Sequence, residues 1–187
     1  MMAANTLMLH VERILLICGK QNAGKSRLLR QMLGDPRLGG VAPERGRIAH
    51  RALSRERCLA ARATSPHEAG HSPSQFHDLI VEACRLAEKD GYRRVNYVSA
   101  VQPNTANAMP NIVGVCRGLV NTFRPERIRV VQLVPDQFGS FDSQLKPELV
   151  SKLRDLDVEV LAIDARRSDH KAEPGNIRIL ADFFDFS

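Results

Sequence analysis

One eight-residue stretch constrains this chain more than any other: Gly19-Lys20-Gln21-Asn22-Ala23-Gly24-Lys25-Ser26, with the spacing G-x-x-x-x-G-K-S. The apolar block Ile14-Leu15-Leu16-Ile17-Cys18 leads into it and reads as a buried strand. Leu28, Leu29, Met32 and Leu33 follow at helical spacing, so a helix opens at Lys25-Ser26 and ends near Gly34-Asp35-Pro36. In that setting the glycines let the backbone curl so that successive N–H groups converge beside the positive end of the helix. Such a concavity suits an anion. Lys25 would neutralise charge on it, and Ser26 and Arg27 continue the polar edge into the first helical turn.

The rest of the chain alternates strand and helix, which predicts one α/β domain over residues 1–187. Its sheet is mostly parallel, with about five strands and helices on both faces. Strands are predicted at 13–18, 58–63, 95–100, 129–134 and 158–163. The clearest helix is announced by Ser72, Pro73 and Gln75, an N-cap, a first-turn proline and a capping box. Phe76, Leu79, Ile80, Ala83 and Leu86 continue it, and Gly91 stops it. Further helices are predicted at 112–123 and 147–156. Residues 37–57, rich in glycine, proline and arginine, read as a mobile basic segment with room for a short hairpin. The tail at 177–187 reads as an edge strand whose phenylalanines cover the core.

Together, loop and alternation resemble the P-loop NTPase superfamily. The resemblance implies that residues 19–27 bind a nucleoside triphosphate, ATP or GTP, with Ser26 on Mg²⁺. Asn22-Ala23-Gly24-Lys25-Ser26 followed by Leu28-Leu29 is similar to the start of translation-factor-type GTPases, although the chain has no N-K-x-D. Lys20 stands where ParA/MinD-like ATPases carry a lysine that reaches across a dimer, although Gln21-Asn22 replaces their usual Gly-Gly. An oligomer or a partner protein is therefore one expectation.

Such enzymes hold Mg²⁺ through an acid at the end of a strand beside the first. The third strand ends without one, in Ser99-Ala100-Val101-Gln102. The fourth runs into Asp136-Gln137-Phe138-Gly139, which makes Asp136 the first choice for the metal. Asp164 ends a strand expected farther out. Glu68, after the second strand, is the candidate base for an attacking water or acceptor hydroxyl, with His67, His71 or Arg62 positioning it. The function expected is a Mg²⁺-dependent hydrolase or phosphotransferase, with Lys25, Asp136 and Glu68 as catalytic groups. The alternative is a nucleotide-binding partner subunit with weak or no turnover.

His67-Glu68-Ala69-Gly70-His71 also fits H-E-x-x-H, and with His77 and Met109 it resembles the metzincin zinc proteases, departing at Ser74. Two histidines four apart share a zinc only on one helix. Pro66 before them and the helix start at Ser72-Pro73 predict a loop instead.

Charge and composition add partners and compartment. Residues 1–62 carry twelve Lys or Arg against four acids, within a net charge of +6. A nucleic acid or a phosphorylated substrate would suit this excess, as would a triphosphate alone. No apolar run is long enough for a membrane span. Cys18, Cys58, Cys84 and Cys116 lack metal-ligand spacing and read as reduced core residues, which points to the cytoplasm.

Overall fold

In the computed structural model, residues 10–39, 49–166 and 174–185 are described. Strand β1 (His10–Cys18) is the axis of the fold. Its side chains alternate between two cores, as the period of a strand requires. Ile14, Leu16 and Cys18 face one, and Leu15 and Ile17 face the other. All five are fully buried. Each such aliphatic side chain removed from water contributes about 2 kcal/mol, so the segment is held at the centre of the sheet.

Helix α1 (Lys25–Leu33) follows directly. A short 3₁₀ turn (Pro36–Leu38) comes next, capped by the Asp35 carboxylate. Strand β2 (Ala49–Ala52) pairs antiparallel with β3 (Arg57–Arg62), so the basic segment does contain a hairpin. Its residues 40–48 lie outside the described residues. Then come α2 (Pro73–Lys89), β4 (Arg94–Val101), α3 (Ile112–Phe123), β5 (Arg127–Leu133), α4 (Pro147–Arg154), β6 (Val158–Ile163) and α5 (Pro174–Asp182).

The six strands lie in the order β2-β3-β4-β1-β5-β6, all parallel except β2. This is an α/β fold with one more strand than the pattern predicted. Helices α2, α3 and α4 contribute to one core and α1 and α5 to the other, so both faces are covered.

The helix starts follow their sequence signals. Ser72 accepts from Gln75 N while the Gln75 side chain accepts from Ser72 N, so the capping box is complete. Asn111 caps α3 by accepting from Gly114 N. The tail departs from expectation: residues 174–182 form α5 rather than an edge strand. Leu180, Ala181, Phe183 and Phe184 reach the α1 core. The spacing of Ile177, Leu180, Ala181 and Phe184 is helical, and a helix buries them on one face. The covering role of Phe183 and Phe184 stands, while Phe186 lies outside the described residues. All four cysteines are free and buried. Among the described residues no helix is long and apolar enough to cross a membrane.

Candidate functional site

The 19–26 loop leaves the carboxyl end of β1 with a strand on either side, β4 and β5. Gly19 N donates to Val101 O at 3.2 Å and so ties the loop to β4. A Cβ at Gly19 would come within 2.9 Å of Ala23 Cβ, closer than real contacts allow. Gly24 has φ of 101° and faces Gln137, whose Cβ would be 3.2 Å from an added methyl. Both the left-handed backbone and the close approach require glycine there. Asn22 also adopts positive φ, at 63°.

Helix α1 thus begins at Gly24 with no side-chain cap and no acidic residue in its first turn. Residues of its first turn line a cavity of about 240 Å³. Among the described residues the lining is Asn22, Gly24, Lys25, Ser26, Arg27, Glu68 and Gln137. Asn22, Gly24, Lys25, Ser26 and Arg27 are the residues expected at the nucleotide and Glu68 the expected base, and the fold brings Glu68 to the residues of the loop. Lys25 is more deeply set than an exposed ligand-binding lysine: its side chain is 3% exposed. Nζ donates to Lys20 O at 2.7 Å and to Glu68 Oε1 at 3.1 Å. Ser26 Oγ donates to Ala63 O at 2.8 Å. Arg27 Nη2 donates to Ala165 O at 2.6 Å, beyond the end of β6.

Glu68 arrives on a single turn at 66–70, between β3 and α2. His67 is the anchor of that turn and is wholly buried. Its Nδ1 accepts from Gln102 N at 3.3 Å, and its Nε2 lies 2.9 Å from Pro110 O. The main-chain N–H fixes Nδ1 as acceptor, so Nε2 carries the proton and donates to Pro110. Asn107 Nδ2 donates to His67 O at 2.6 Å. Burial holds the His67 pKa below its usual value, and the Lys25 ammonium adds to this.

The H-E-x-x-H reading does not survive this geometry. His67 lies on the turn at 66–70 and His71 directly after it, neither on a helix, and both ring nitrogens of His67 are engaged. His77 lies on α2, its ring against Phe123. Among the described residues no group of three His, Cys, Asp or Glu could hold a metal ion.

Asp136 and Asp164, the other acids considered for the metal, are engaged elsewhere in their own turns. Asp136 Oδ1 accepts from Phe138 N at 2.8 Å and Ser140 N at 3.0 Å, which folds the loop after β5 into a turn. Asp136 is not among the cavity's described lining residues. Asp164 is paired with Arg166, whose guanidinium holds its carboxyl below the usual range. The strand it follows, β6, is one strand removed from β1. Glu68 is therefore the one carboxylate among the described lining residues.

Two contacts lay beyond the sequence reading. Ser143 Oγ accepts from Lys20 N at 2.9 Å. Gln137 N donates to Ala23 O at 3.2 Å, and its side-chain amide donates to Asn22 O. The loop after β5 is thereby bonded to the 19–26 loop at both edges. Gln137 directly follows Asp136, and position alone could have flagged it; nothing in the sequence marks Ser143. No family model matches this sequence, and no curated protein matches it.

Proposed function

We propose that this chain binds a nucleoside triphosphate, ATP or GTP, with its phosphates on the 19–26 loop and Mg²⁺ beside Ser26, as a P-loop NTPase. The observation that carries this reading is the combination at the start of α1. A helix N-terminus without a cap or a first-turn acid opens onto a cavity that also holds the Lys25 ammonium. Backbone N–H groups, a helix dipole and a desolvated ammonium converge there, and each favours an anion.

The residues suit Mg²⁺, which takes hard oxygen donors. Ser26 gives its proton to Ala63 O and so keeps its lone pairs for a cation. Glu68 is a further oxygen donor of the cavity, whose lining also offers the side-chain oxygens of Asn22 and Gln137. Bound Mg²⁺ would neutralise charge on the phosphate oxygens. Lys25 exchanges the Glu68 carboxylate for phosphate oxygens when the triphosphate arrives. Glu68, 29% exposed on its turn, is then free to accept a proton from water or an acceptor hydroxyl. The buried His67 holds that turn in place.

Turnover assays with ATP and GTP, with and without Mg²⁺, test the enzymatic half. Mg²⁺-dependent phosphate release that Glu68→Gln lowers at least tenfold supports it. A second reading, a nucleotide-binding subunit with weak or no turnover, is favoured by Asp136, whose carboxylate serves its own turn. Tight binding without phosphate release in the parent protein would establish that reading and refute the enzymatic one.

A further inference from the structure

The chain has seven phenylalanines, two tyrosines and no tryptophan. Phe76, Tyr97, Phe183 and Phe184 are buried, and Tyr92 and Phe123 are partly so. Among the described residues only two aromatic rings are exposed, Phe138 at 73% and Phe141 at 62%. Both lie on the one loop that is bonded to the 19–26 loop through Gln137 and Ser143. A single exposed ring is ordinary, but two on one loop beside a cavity mark a place where a ligand could rest.

The cavity's roughly 240 Å³ falls below the range of about 300–1,000 Å³ that encloses a whole small-molecule ligand. A cavity of that size suits a triphosphate chain, which would leave the nucleoside on the surface outside. Gln137 is one of the residues that line it, and Phe138 is the next residue in the chain. A Cβ at Gly139 would lie 3.9 Å from Arg166 Cδ, so the Arg166 side chain passes beside the same turn. Arg27, also in the lining, is tied to Ala165. Phe138 thus lies in a turn between the lining residue Gln137 and Gly139, beside which the Arg166 side chain passes. Phe141 is followed instead by Asp142, an exposed carboxylate 3.9 Å from Lys20 Nζ, which disfavours a phosphorylated ligand.

We propose that the base of the bound nucleotide stacks on the exposed ring of Phe138, with Arg166 alongside. This rests on the phosphate reading of the 19–26 loop and extends it to the nucleoside. Stacking uses the face that every base has and is tolerant of base identity. Two groups nearby that could read a base edge are already engaged: the Gln137 amide N–H donates to Asn22 O, and the Asp164 carboxylate holds Arg166. The site accordingly takes ATP and GTP alike.

Calorimetry with three ligands, ATP, GTP and inorganic tripolyphosphate, each with Mg²⁺, tests it. ATP and GTP bind the parent protein about tenfold more tightly than tripolyphosphate, the size of one base–aromatic stack. Phe138→Ala removes that advantage for both nucleotides and leaves tripolyphosphate unchanged, and Phe138→Trp restores it. Equal affinity of the parent for ATP and tripolyphosphate overturns the stacking and leaves the phosphate site standing. No binding of any of the three overturns both. If Phe138→Ala instead changes the sedimentation of the protein while ATP affinity holds, or if the loss follows Phe141→Ala, the ring serves a different contact and the proposal fails.

Discussion

At the amino ends of the strands, the Glu12 side chain is 2% exposed and accepts from Arg57, Arg94 and Asn96. At the carboxyl ends, the Lys25 side chain is 3% exposed and has one carboxylate and one carbonyl. The two groups are equally withdrawn from water and differently held. The donors to Glu12 sit on β3 and β4, rigid strands whose register with β1 they fix. The partners of Lys25 sit on loops, and Glu68 itself remains partly exposed. A buried charge without its partners is costly, so the first arrangement is closed and can only be broken. The second can trade one anion for another, which is what a ligand site must do.

Breaking the closed end gives the largest effect. Glu12→Ala leaves Arg57 and Arg94 facing each other beside the Asn96 amide. It lowers stability by about 3 kcal/mol, the low end for such losses because both arginines reach water. Urea unfolding measures it. Burial pushes the Glu12 carboxyl upward, but the bonds from Arg57, Arg94 and Asn96 outweigh this and hold it below its usual range. Its stabilisation is thus full above the ordinary carboxylate pKa and is lost as pH falls through the depressed one. Triphosphate affinity at neutral pH is unchanged, because the site lies at the opposite end of the sheet.

A smaller effect concerns the turn that carries Glu68. The His67 pKa is depressed by burial, so the unfolded chain binds a proton there that the folded one refuses. The stability this group supports is complete above about pH 6.5, the usual histidine value, and declines as pH falls below it. His50, His71 and His77 are depressed in the same sense. The slope belonging to His67 is therefore the difference between the parent and His67→Gln, measured by denaturant melts from pH 7.5 to 5.5. A slope unchanged by the substitution contradicts the assignment of His67 as a neutral anchor.

The smallest effects separate the acids. Asp136→Asn keeps an oxygen for Phe138 N and Ser140 N and changes turnover less than about threefold. Asp164→Asn, on a strand one place removed from β1, changes it no more. These stand against the tenfold loss with Glu68→Gln, and a reversed ranking would return the metal to Asp136.

The difference between the two ends also explains what the sequence disclosed. Local signals survived intact: the α2 capping box, the turn forced by Pro66, and the strand–loop–helix around Gly24 are each set by neighbours in the chain. Lys25, Ser26 and Arg27 were legible as cavity residues for the same reason. What was hidden depends on distance along the chain. The Ser143 bond to Lys20 spans more than a hundred residues, and the engagement of Asp136 in its own turn looks, in sequence, like any acid after a strand. The tail was misread because Phe183 and Phe184 suit a strand as well as a helix, and only packing against α1 decides between them. The burial of Lys25 was hidden because it is Glu68, from a separate loop, that closes over it.

The proposed site requires Lys25 to be the cation of an anion site rather than a structural ion-pair partner of Glu68. Calorimetric titration of ATP with Mg²⁺ into the parent protein and into Lys25→Ala, with urea unfolding of both, tests this directly. The expected result is binding by the parent, an affinity loss of at least about a hundredfold in Lys25→Ala, and a stability change under about 1 kcal/mol, because the partly exposed Glu68 is hydrated when its partner is removed. Unchanged ATP affinity, with a stability loss of several kcal/mol, would contradict it and make Lys25 and Glu68 a structural pair like Glu12 and its arginines.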